Sequence, residues 1–284
     1  MMSFLSKNLL LKILLPVANL LPLATAAQQP LSQPLVFAYF KGNSKDGLHL
    51  AYSRDGFQWT ALKNDSSFLK PAVAQDRLMR DPCILRGPDR RFHMVWTVSW
   101  NDKGIGYASS PDLVHWSEQQ FIPVMQHEPG ARNCWAPEIN YDEKAKQYVI
   151  YWATTITGRF PQTQAKGESS YNHRIYYTAT KDFQTYTPAQ LLYEPGFNVI
   201  DASIQQDGKR YVMFLKDETL EPTPRKNLRL AYSKYLTGPY TQLSAPSPAT
   251  TGPKDLRLCA WARTGWCTST NTACTAMEPY APGT

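Results

Sequence analysis

The chain has 284 residues, 43% of them hydrophobic and 12% aromatic, and its 30 Lys and Arg against 23 Asp and Glu give a formal net charge of +7. Two of the cations, Lys7 and Lys12, lie in the first 27 residues, and no long basic run occurs, so nothing indicates nucleic-acid binding. The five cysteines lack the spacing of zinc ligands, and we expect Cys83 and Cys134 to be buried thiols rather than a disulfide.

The first 27 residues have the pattern of a secretory signal peptide. Lys7 and Lys12 accompany an apolar stretch over residues 9–23, and small residues follow at 24–27, which is the order of a charged region, a hydrophobic region and a cleavage site. Pro16 and Pro22 interrupt the apolar stretch and disfavour a permanent membrane span. We therefore expect a secreted or periplasmic protein that leaves the membrane after cleavage; the alternative is a short hydrophobic anchor.

Three hairpins follow one another along the chain, and each begins with an acid. The acids are Asp81, Glu138 and Asp201, and each lies at the start of a strand-like segment that a polar turn joins to a second, aromatic-rich segment. Such pairs are typical of antiparallel hairpins. Because the repeated unit of a propeller brings its first strands to one axis, the pattern predicts several carboxylates on one surface.

A second repeat follows each hairpin, with an acid four residues before an aromatic. The pairs are Asp55 with Trp59, Asp112 with Trp116, and Asp182 with Tyr186, and a fourth copy at 228–240 keeps the strand and Tyr240 without the acid. Large rings at a fixed place in each repeat predict packing between blades. The acids are expected to accept backbone hydrogen bonds in turns.

These repeats predict an all-β fold, a five-bladed β-propeller that is incomplete at its C-terminus. We assign residues 1–27 to the signal peptide, 28–249 to the partial propeller and 250–284 to an aberrant tail. The long loops at 123–133 and 157–172 exceed ordinary hairpin connections and are expected to wall a cleft.

Carboxylates on rigid strand starts suit glycoside hydrolysis, which needs an acid to protonate the leaving oxygen and a base to activate water. Asp81 lies between Arg80 and Pro82, so we expect a stiff backbone and a neighbouring cation that favours the ionised carboxylate of a general base. Asp201 follows a mostly apolar segment, and we expect it near the axis, where it would orient other groups. The alternative for each acid is a turn cap or a structural ion pair.

Three motifs resemble glycoside hydrolase family 43, whose five-bladed propellers cleave arabinose and xylose units from plant polysaccharides. They are Arg80-Asp81-Pro82, Trp135-Ala136-Pro137-Glu138-Ile139 and Val199-Ile200-Asp201-Ala202, and the resemblance covers residues 35–245. It implies that Asp81 is the general base, that Asp201 tunes and orients the general acid, and that Trp135 and Glu138 lie near the sugar. It also implies inversion, with water between base and sugar.

The resemblance further sets the expected ligands. We expect no cofactor and no nucleic-acid partner, a monomer, and substrates among arabinose- or xylose-containing glycans. A structural calcium ion at the axis, present in some relatives, is left open by the sequence. The choice of arabinose or xylose, and of exo or endo action, depends on loop shapes that the sequence leaves undetermined.

The family's general acid lies in a Glu-Gly-Pro motif that opens the fourth blade, and this chain has no such motif. Glu218 and Glu221 follow the third hairpin, where we expect exposed or loop-pairing side chains rather than a replacement acid. Two functions therefore stay open: a glycosidase of the arabinofuranosidase or xylosidase type that is damaged at its C-terminus, and a carbohydrate-binding propeller without turnover. A structural propeller with no sugar site is a third.

The tail after residue 249 has the composition of a shifted reading frame. Strand alternation stops, three of the five cysteines occur there, and Thr, Ala and Pro dominate. When the third base of each codon begins the next triplet, residues 249–256 permit Asn-Tyr-Trp-Ala-Glu-Gly-Pro with synonymous codon choices. The same shift permits Val-Tyr-Phe-Asp-Lys-Tyr over 266–272. We infer a one-base frameshift near residues 245–249, in the gene or in its sequencing.

This inference predicts the nucleotide sequence of codons 245–260. The shifted frame should encode Glu-Gly-Pro, with the Glu spanning the codons of Pro253 and Lys254, and the encoded 284-residue chain should be poorly soluble or inactive because a blade is lost. Sequencing the gene and assaying the chain check both statements. A shifted frame without Glu-Gly-Pro, or robust glycosidase activity of the chain as encoded, would contradict the inference.

Overall fold

A computed structural model describes residues 34–166, 170–241 and 243–246, together with the backbone of three strands at 257–260, 266–269 and 273–276. The predicted signal peptide and most of the tail lie outside the described residues. Apart from two short 3-10 turns, Lys63–Asp65 and Pro161–Thr163, the regular structure of this part of the chain is entirely β. Within it, no helix is long and apolar enough to cross a membrane.

Four antiparallel sheets follow one another along the chain. Their strands are β1 (Leu35–Tyr39), β2 (His49–Ser53), β3 (Thr60–Ala61), β4 (Arg80–Arg86), β5 (Phe92–Thr97), β6 (Ile105–Ser110), β7 (Gln120–Ile122), β8 (Trp135–Asp142), β9 (Gln147–Thr155), β10 (His173–Thr180), β11 (Gln190–Tyr193), β12 (Val199–Asp207), β13 (Arg210–Asp217) and β14 (Asn227–Ser233). Strands β4 to β7 and β8 to β11 form complete four-stranded sheets in sequence order, and β12 to β14 form a three-stranded one.

Apolar side chains fill the spaces between successive sheets. One cluster joins Leu48 and Leu50 of the first sheet to Trp96 of the second, and two further clusters join the second to the third and the third to the fourth. The second and third sheets therefore bury both faces against neighbouring sheets, which is the packing of propeller blades, and the all-β propeller prediction is confirmed. The number of five blades stays a prediction.

The second repeat also has its predicted role. Trp116 and Tyr186 pack against the clusters between sheets and Tyr240 is buried in one of them. The three acids accept hydrogen bonds from backbone amides two and three residues ahead, as in Asp112 with Val114 and His115. The interpretation of these acids as turn residues is confirmed, and so is the expectation that Cys83 and Cys134 are buried thiols rather than a disulfide.

The tail contains strands that the sequence analysis did not expect. Strands β15 (Arg257–Ala260) and β16 (Trp266–Ser269) pair with each other, and β17 (Ala273–Ala276) pairs with β1 at the edge of the first sheet. The described part of the tail therefore forms a two-stranded hairpin and one added strand, not a four-stranded blade. The frameshift origin of the tail stays a prediction.

Candidate active site

The first strands of three sheets lie side by side and carry the predicted acids. Strand β8 contacts both β4 and β12, and each of the three strands has a break in its pairing near its start. The breaks lie between Arg80 and Cys83, between Trp135 and Glu138, and between Ile200 and Ser203. These are β-bulges, which turn a side chain away from the regular alternation and often occur beside active sites.

Left-handed backbone occurs at the same place in all three bulges. The residues are Asp81, Ala136 and Asp201, with φ of 49°, 49° and 55°. Such a conformation costs on the order of 1–3 kcal/mol for a residue other than glycine, and it persists where surrounding structure imposes it, often at functional sites. Asp81 and Asp201 are therefore equivalent positions on two inner strands.

This register corrects the predicted equivalence of Glu138. The second strand's counterpart of Asp81 and Asp201 is Ala136, and Glu138 lies two residues further on, opposite Tyr151. In the sequence the three acids align because each starts a strand-like segment, and a bulge leaves no mark in that pattern. Glu138 is nevertheless buried in the same set of inner strands, with 8% of its surface exposed.

Hydrogen bonds connect the three inner strands through two side chains of second strands. Thr97 donates from Oγ1 to Asp81 Oδ2 over 3.1 Å and accepts the backbone amide of Ala136 over 2.8 Å. Tyr151 donates to Glu138 Oε2 over 3.0 Å and accepts the amide of Ile204 over 2.9 Å. Burial, with the Glu138 carboxylate nearby, raises the pKa of Tyr151, so Tyr151 remains a neutral donor at ordinary pH.

Asp201 has a buried cation as a neighbour. Lys216 Nζ lies 3.7 Å from Asp201 Oδ2 and 2.7 Å from Glu218 Oε1, and the lysine is 6% exposed. Glu218 also forms an ion pair with Lys226. The ammonium group thus separates two carboxylates that would otherwise repel each other.

Glu218 has one of its two predicted environments. Its side chain is only 14% exposed and is paired with two lysines, so of the two predicted alternatives, exposed or loop-pairing, the structure shows the second. A general acid must hold a proton until it transfers it, and two ammonium partners favour the charged carboxylate instead. The geometry therefore gives Glu218 a structural role beside Asp201, not that of the missing acid.

An aromatic group lies at the start of β8, around Trp135. The Trp135 ring meets Trp100 edge-on at 5.6 Å, and it lies 4.6 Å from Tyr171 and 5.1 Å from His173. Trp100 is 46% exposed. Faces and edges of exposed aromatic rings provide apolar surfaces against which a sugar ring can pack, with polar groups at the rim to fix its orientation.

Two arginines stack on rings of this aromatic group. Arg80 stacks over Trp100 at 4.5 Å and over Phe40 at 4.7 Å, and Arg132 stacks over Tyr171 at 4.4 Å. The sequence predicts Arg80 as a cation beside Asp81. In the structure the guanidinium of Arg80 instead contacts these rings and Ser44. Arg132 and Tyr171 come from the two long loops that the sequence predicted as walls.

His173 is a site residue that the sequence analysis missed. Its ring stacks on Tyr171 at 5.1 Å, its backbone amide and Nδ1 contact Asn198 Oδ1, and its buried Nε2 has no hydrogen-bond partner among the described residues. Burial lowers the pKa of His173 to about 4. A neutral imidazole with an unused nitrogen is suited to one hydrogen bond with a ligand.

Trp100, Tyr171, His173 and Lys216 have no motif that identifies them. Trp100 and Tyr171 lie in loops, and Lys216 is an ordinary strand residue until the sheet pairs it with Ile200.

Among the described residues, no group of three His, Cys, Asp or Glu could hold a metal ion, so these residues provide no such ligand set for the calcium ion considered above.

Comparison with protein families finds one matching model. It is described as "Probable glycosyl hydrolase domain", is related to glycoside hydrolase family 43, and matches residues 32–250. A curated relative, the alpha-L-arabinofuranosidase of Bifidobacterium longum subsp. longum, is 29% identical over 200 residues, which are 61% of this chain. The matched region spans 19% of that longer protein.

Solved structures resemble the fold at low sequence identity. An endo-1,4-beta-xylanase from Bacteroides thetaiotaomicron is 14% identical, with a TM-score of 0.54 over 79% of this chain and 75% of the other. A structure assigned as an exo-beta-1,3-galactanase from Bifidobacterium bifidum is 14% identical, with a TM-score of 0.51 over 76% and 68% of the two chains. At these identities the likeness supports the propeller fold alone.

The ion pairs of Lys216 predict a loss of stability when it is replaced. Lys216→Met should lower the free energy of unfolding by about 3 kcal/mol, because it removes the buried cation between the partly buried carboxylates of Asp201 and Glu218. Adding Glu218→Gln should recover part of that loss, since one of the charges is removed. Urea denaturation measures both, with the exposed Lys209→Met as control; equal stability of Lys216→Met and Lys209→Met would contradict the role.

Burial of His173 predicts a pH dependence of stability. The unfolded histidine takes a proton near its ordinary pKa of 6.5 and the folded one only near 4, so the unfolded state binds more protons between these values. Stability should therefore fall as pH falls from about 6.5 to 4, by up to ~1.4 kcal/mol per pH unit from this group.

Urea denaturation across this range should show a shallower slope for His173→Gln than for the unchanged chain. The exposed His127→Gln serves as control and should keep the original slope. Parallel slopes for the unchanged chain and His173→Gln would show that His173 does not contribute.

Proposed function

Because the chain belongs to this glycosyl hydrolase family, related to glycoside hydrolase family 43, we propose that its propeller hydrolyses terminal arabinofuranosyl or xylosyl units of plant cell-wall glycans by inversion. The observation that carries the proposal is the matched pair of left-handed bulges that place Asp81 and Asp201 at equivalent points of two inner strands. The similarity to an alpha-L-arabinofuranosidase supports this substrate class, and the substrate itself is part of the proposal.

In the proposed mechanism, Asp81 removes a proton from the attacking water. Thr97 donates to Oδ2 of this carboxylate and so helps to hold it in a fixed orientation for proton transfer. A general base in this position contributes by making water a better nucleophile as the bond to the leaving group breaks. The Trp135 ring and its neighbours would hold the sugar, with His173 offering Nε2 to a hydroxyl.

In the proposed mechanism, Asp201 raises the pKa of the general acid and orients it. A carboxylate next to a protonated carboxyl group disfavours the loss of that proton, which keeps the acid ready at the pH of the reaction. Lys216 on its other side fixes the Asp201 carboxylate in place. By resemblance to glycoside hydrolase family 43, the acid itself would be the Glu of the Glu-Gly-Pro motif in the restored reading frame.

The proposed site therefore contains the base, the orienting aspartate and the sugar surface, and lacks its acid in the encoded chain. This supports a second candidate, a carbohydrate-binding propeller without turnover. Two measurements on the chain with the restored frame separate the candidates. One is the release of 4-nitrophenol from 4-nitrophenyl arabinofuranoside and xyloside, and the other is the binding of the same sugars. Binding without release by the restored chain would favour the second candidate.

The role of Asp81 predicts a separation of turnover from binding. In a chain with the restored frame, Asp81→Asn should lower kcat by about 10²–10⁴-fold, while the affinity for the sugar changes little because the amide has the same shape. Steady-state kinetics and titration with the product sugar measure the two quantities. Asp207→Asn, at the exposed hairpin turn of the fourth sheet, is the matched control, and an Asp81→Asn enzyme with most of its activity would remove Asp81 from the role of base.

A further inference from the structure

A second concave site lies between the second and third sheets, at their hairpin ends. This hairpin-end cavity has a volume of about 410 Å³, and six of its lining residues carry the argument: Asp89, Arg91, His93, Tyr107, Tyr148 and Lys181. Asp81 is at the start of β4 and Asp89 is in the turn after its end, so the cavity lies roughly 20 Å along the strand from the candidate active site. The proposed hydrolysis does not use it.

The floor of the hairpin-end cavity is a buried hydrogen-bond network around His93. Its Nδ1 lies 2.8 Å from the hydroxyl of Tyr107, and its Nε2 lies 3.2 Å from both the Asp89 carboxylate and the hydroxyl of Tyr148. Phe183 stacks on the imidazole at 4.4 Å. Burial lowers the pKa of His93, so the floor presents a neutral ring and hydroxyl groups, held rigidly by aromatic packing.

The backbone of the floor has little room to change. A β-carbon on Gly87 would lie 2.2 Å from the Tyr148 hydroxyl and 2.9 Å from His93 Nε2. The glycine therefore lets the turn pass directly over the network. A side chain at this position would collide with Tyr148, Asp89 and His93, so glycine is required there for the network to keep its geometry.

At the rim of the hairpin-end cavity, the carboxylates are hydrogen-bonded within the protein, whereas the cations keep donors that could bind a ligand. Asp89 accepts from the backbone of Arg91 and contacts His93, and Asp182 accepts the turn amides of Gln184 and Thr185. Arg91 donates a hydrogen bond from Nη2 to Ser109 Oγ, and its other guanidinium donors remain for a ligand in the cavity. Lys181 also lines the cavity. The anions are thus satisfied by the protein while the cations still have donors to offer.

We propose that the hairpin-end cavity binds a carboxylate-bearing sugar, a hexuronate unit of an acidic glycan. The guanidinium of Arg91 matches the planar carboxylate, to which arginine commonly gives two parallel hydrogen bonds. The hydroxyls of Tyr107 and Tyr148, which His93 holds in place, match the hydroxyl groups of the ring. In naming a glycan this proposal rests on the proposed function, and it gives the protein a second point of attachment to a polymer, away from the site of hydrolysis.

Titration calorimetry of the full chain with D-galacturonate and D-glucuronate tests the proposal. We expect saturable binding of a uronate, at least tenfold weaker binding of galactose and glucose, and no comparable binding of acetate or inorganic phosphate. Uronate oligomers beside the monosaccharides distinguish a polymer unit from a free acid. Neutral sugars that bind as tightly, or phosphate that binds in place of the uronates, would overturn the proposal.

Two substitutions locate the binding. Arg91→Gln and Lys181→Gln should each weaken uronate binding at least fivefold, while Lys234→Gln, an exposed cation elsewhere on the surface, should leave it unchanged. Circular dichroism verifies that the variants fold. Uronate affinity that is unaffected by Arg91→Gln and Lys181→Gln, or lost equally in Lys234→Gln, would overturn the assignment. Because no glycosidase activity is measured, loss of the proposed hydrolysis leaves this test intact.

Discussion

The bulge at the start of each inner strand is the constraint on which the site depends. Ordinary strand alternation would direct Asp81 and Asp201 into the packed faces between sheets, where an unpaired carboxylate is costly. The left-handed residue interrupts the alternation. Thr97 then connects two sheets, because its hydroxyl donates to Asp81 and accepts from the backbone amide of Ala136 in the bulge of β8. Strain in the backbone is thus offset by hydrogen bonds between sheets, and the same contacts fix the positions of the acids.

Packing between sheets couples this site to the rest of the molecule. The apolar residues of each sheet contribute to clusters shared with a neighbouring sheet, and those of the second and third sheets are shared on both sides. Strand β17 extends the first sheet beside β1, so the tail also borders the first blade. A changed tail therefore affects stability and the candidate site together, because β15 and β17 lie beside β12 and β4.

Charge is distributed so that each buried carboxylate near the inner strands has a particular partner. Asp81 has a neutral hydroxyl, Glu138 has the hydroxyl of Tyr151, and Asp201 has the ammonium group of Lys216. Hydrogen bonds from hydroxyl groups orient the first two carboxylates. The ammonium group of Lys216 instead lies between Asp201 and Glu218, and Glu218 also pairs with Lys226.

The sequence by itself determined the repeat, the all-β propeller, the turn role of Asp55, Asp112 and Asp182, and the family, because hairpin spacing and the short motifs are local properties. Only the tertiary structure decided that Ala136, not Glu138, is the counterpart of Asp81 and Asp201, since a bulge shifts register without changing composition. It alone brought Trp100, Tyr171 and His173 to Trp135 and placed Lys216 between two acids. Those contacts join residues far apart in the chain, and their physical basis is the packing of one sheet against another, which no local pattern encodes.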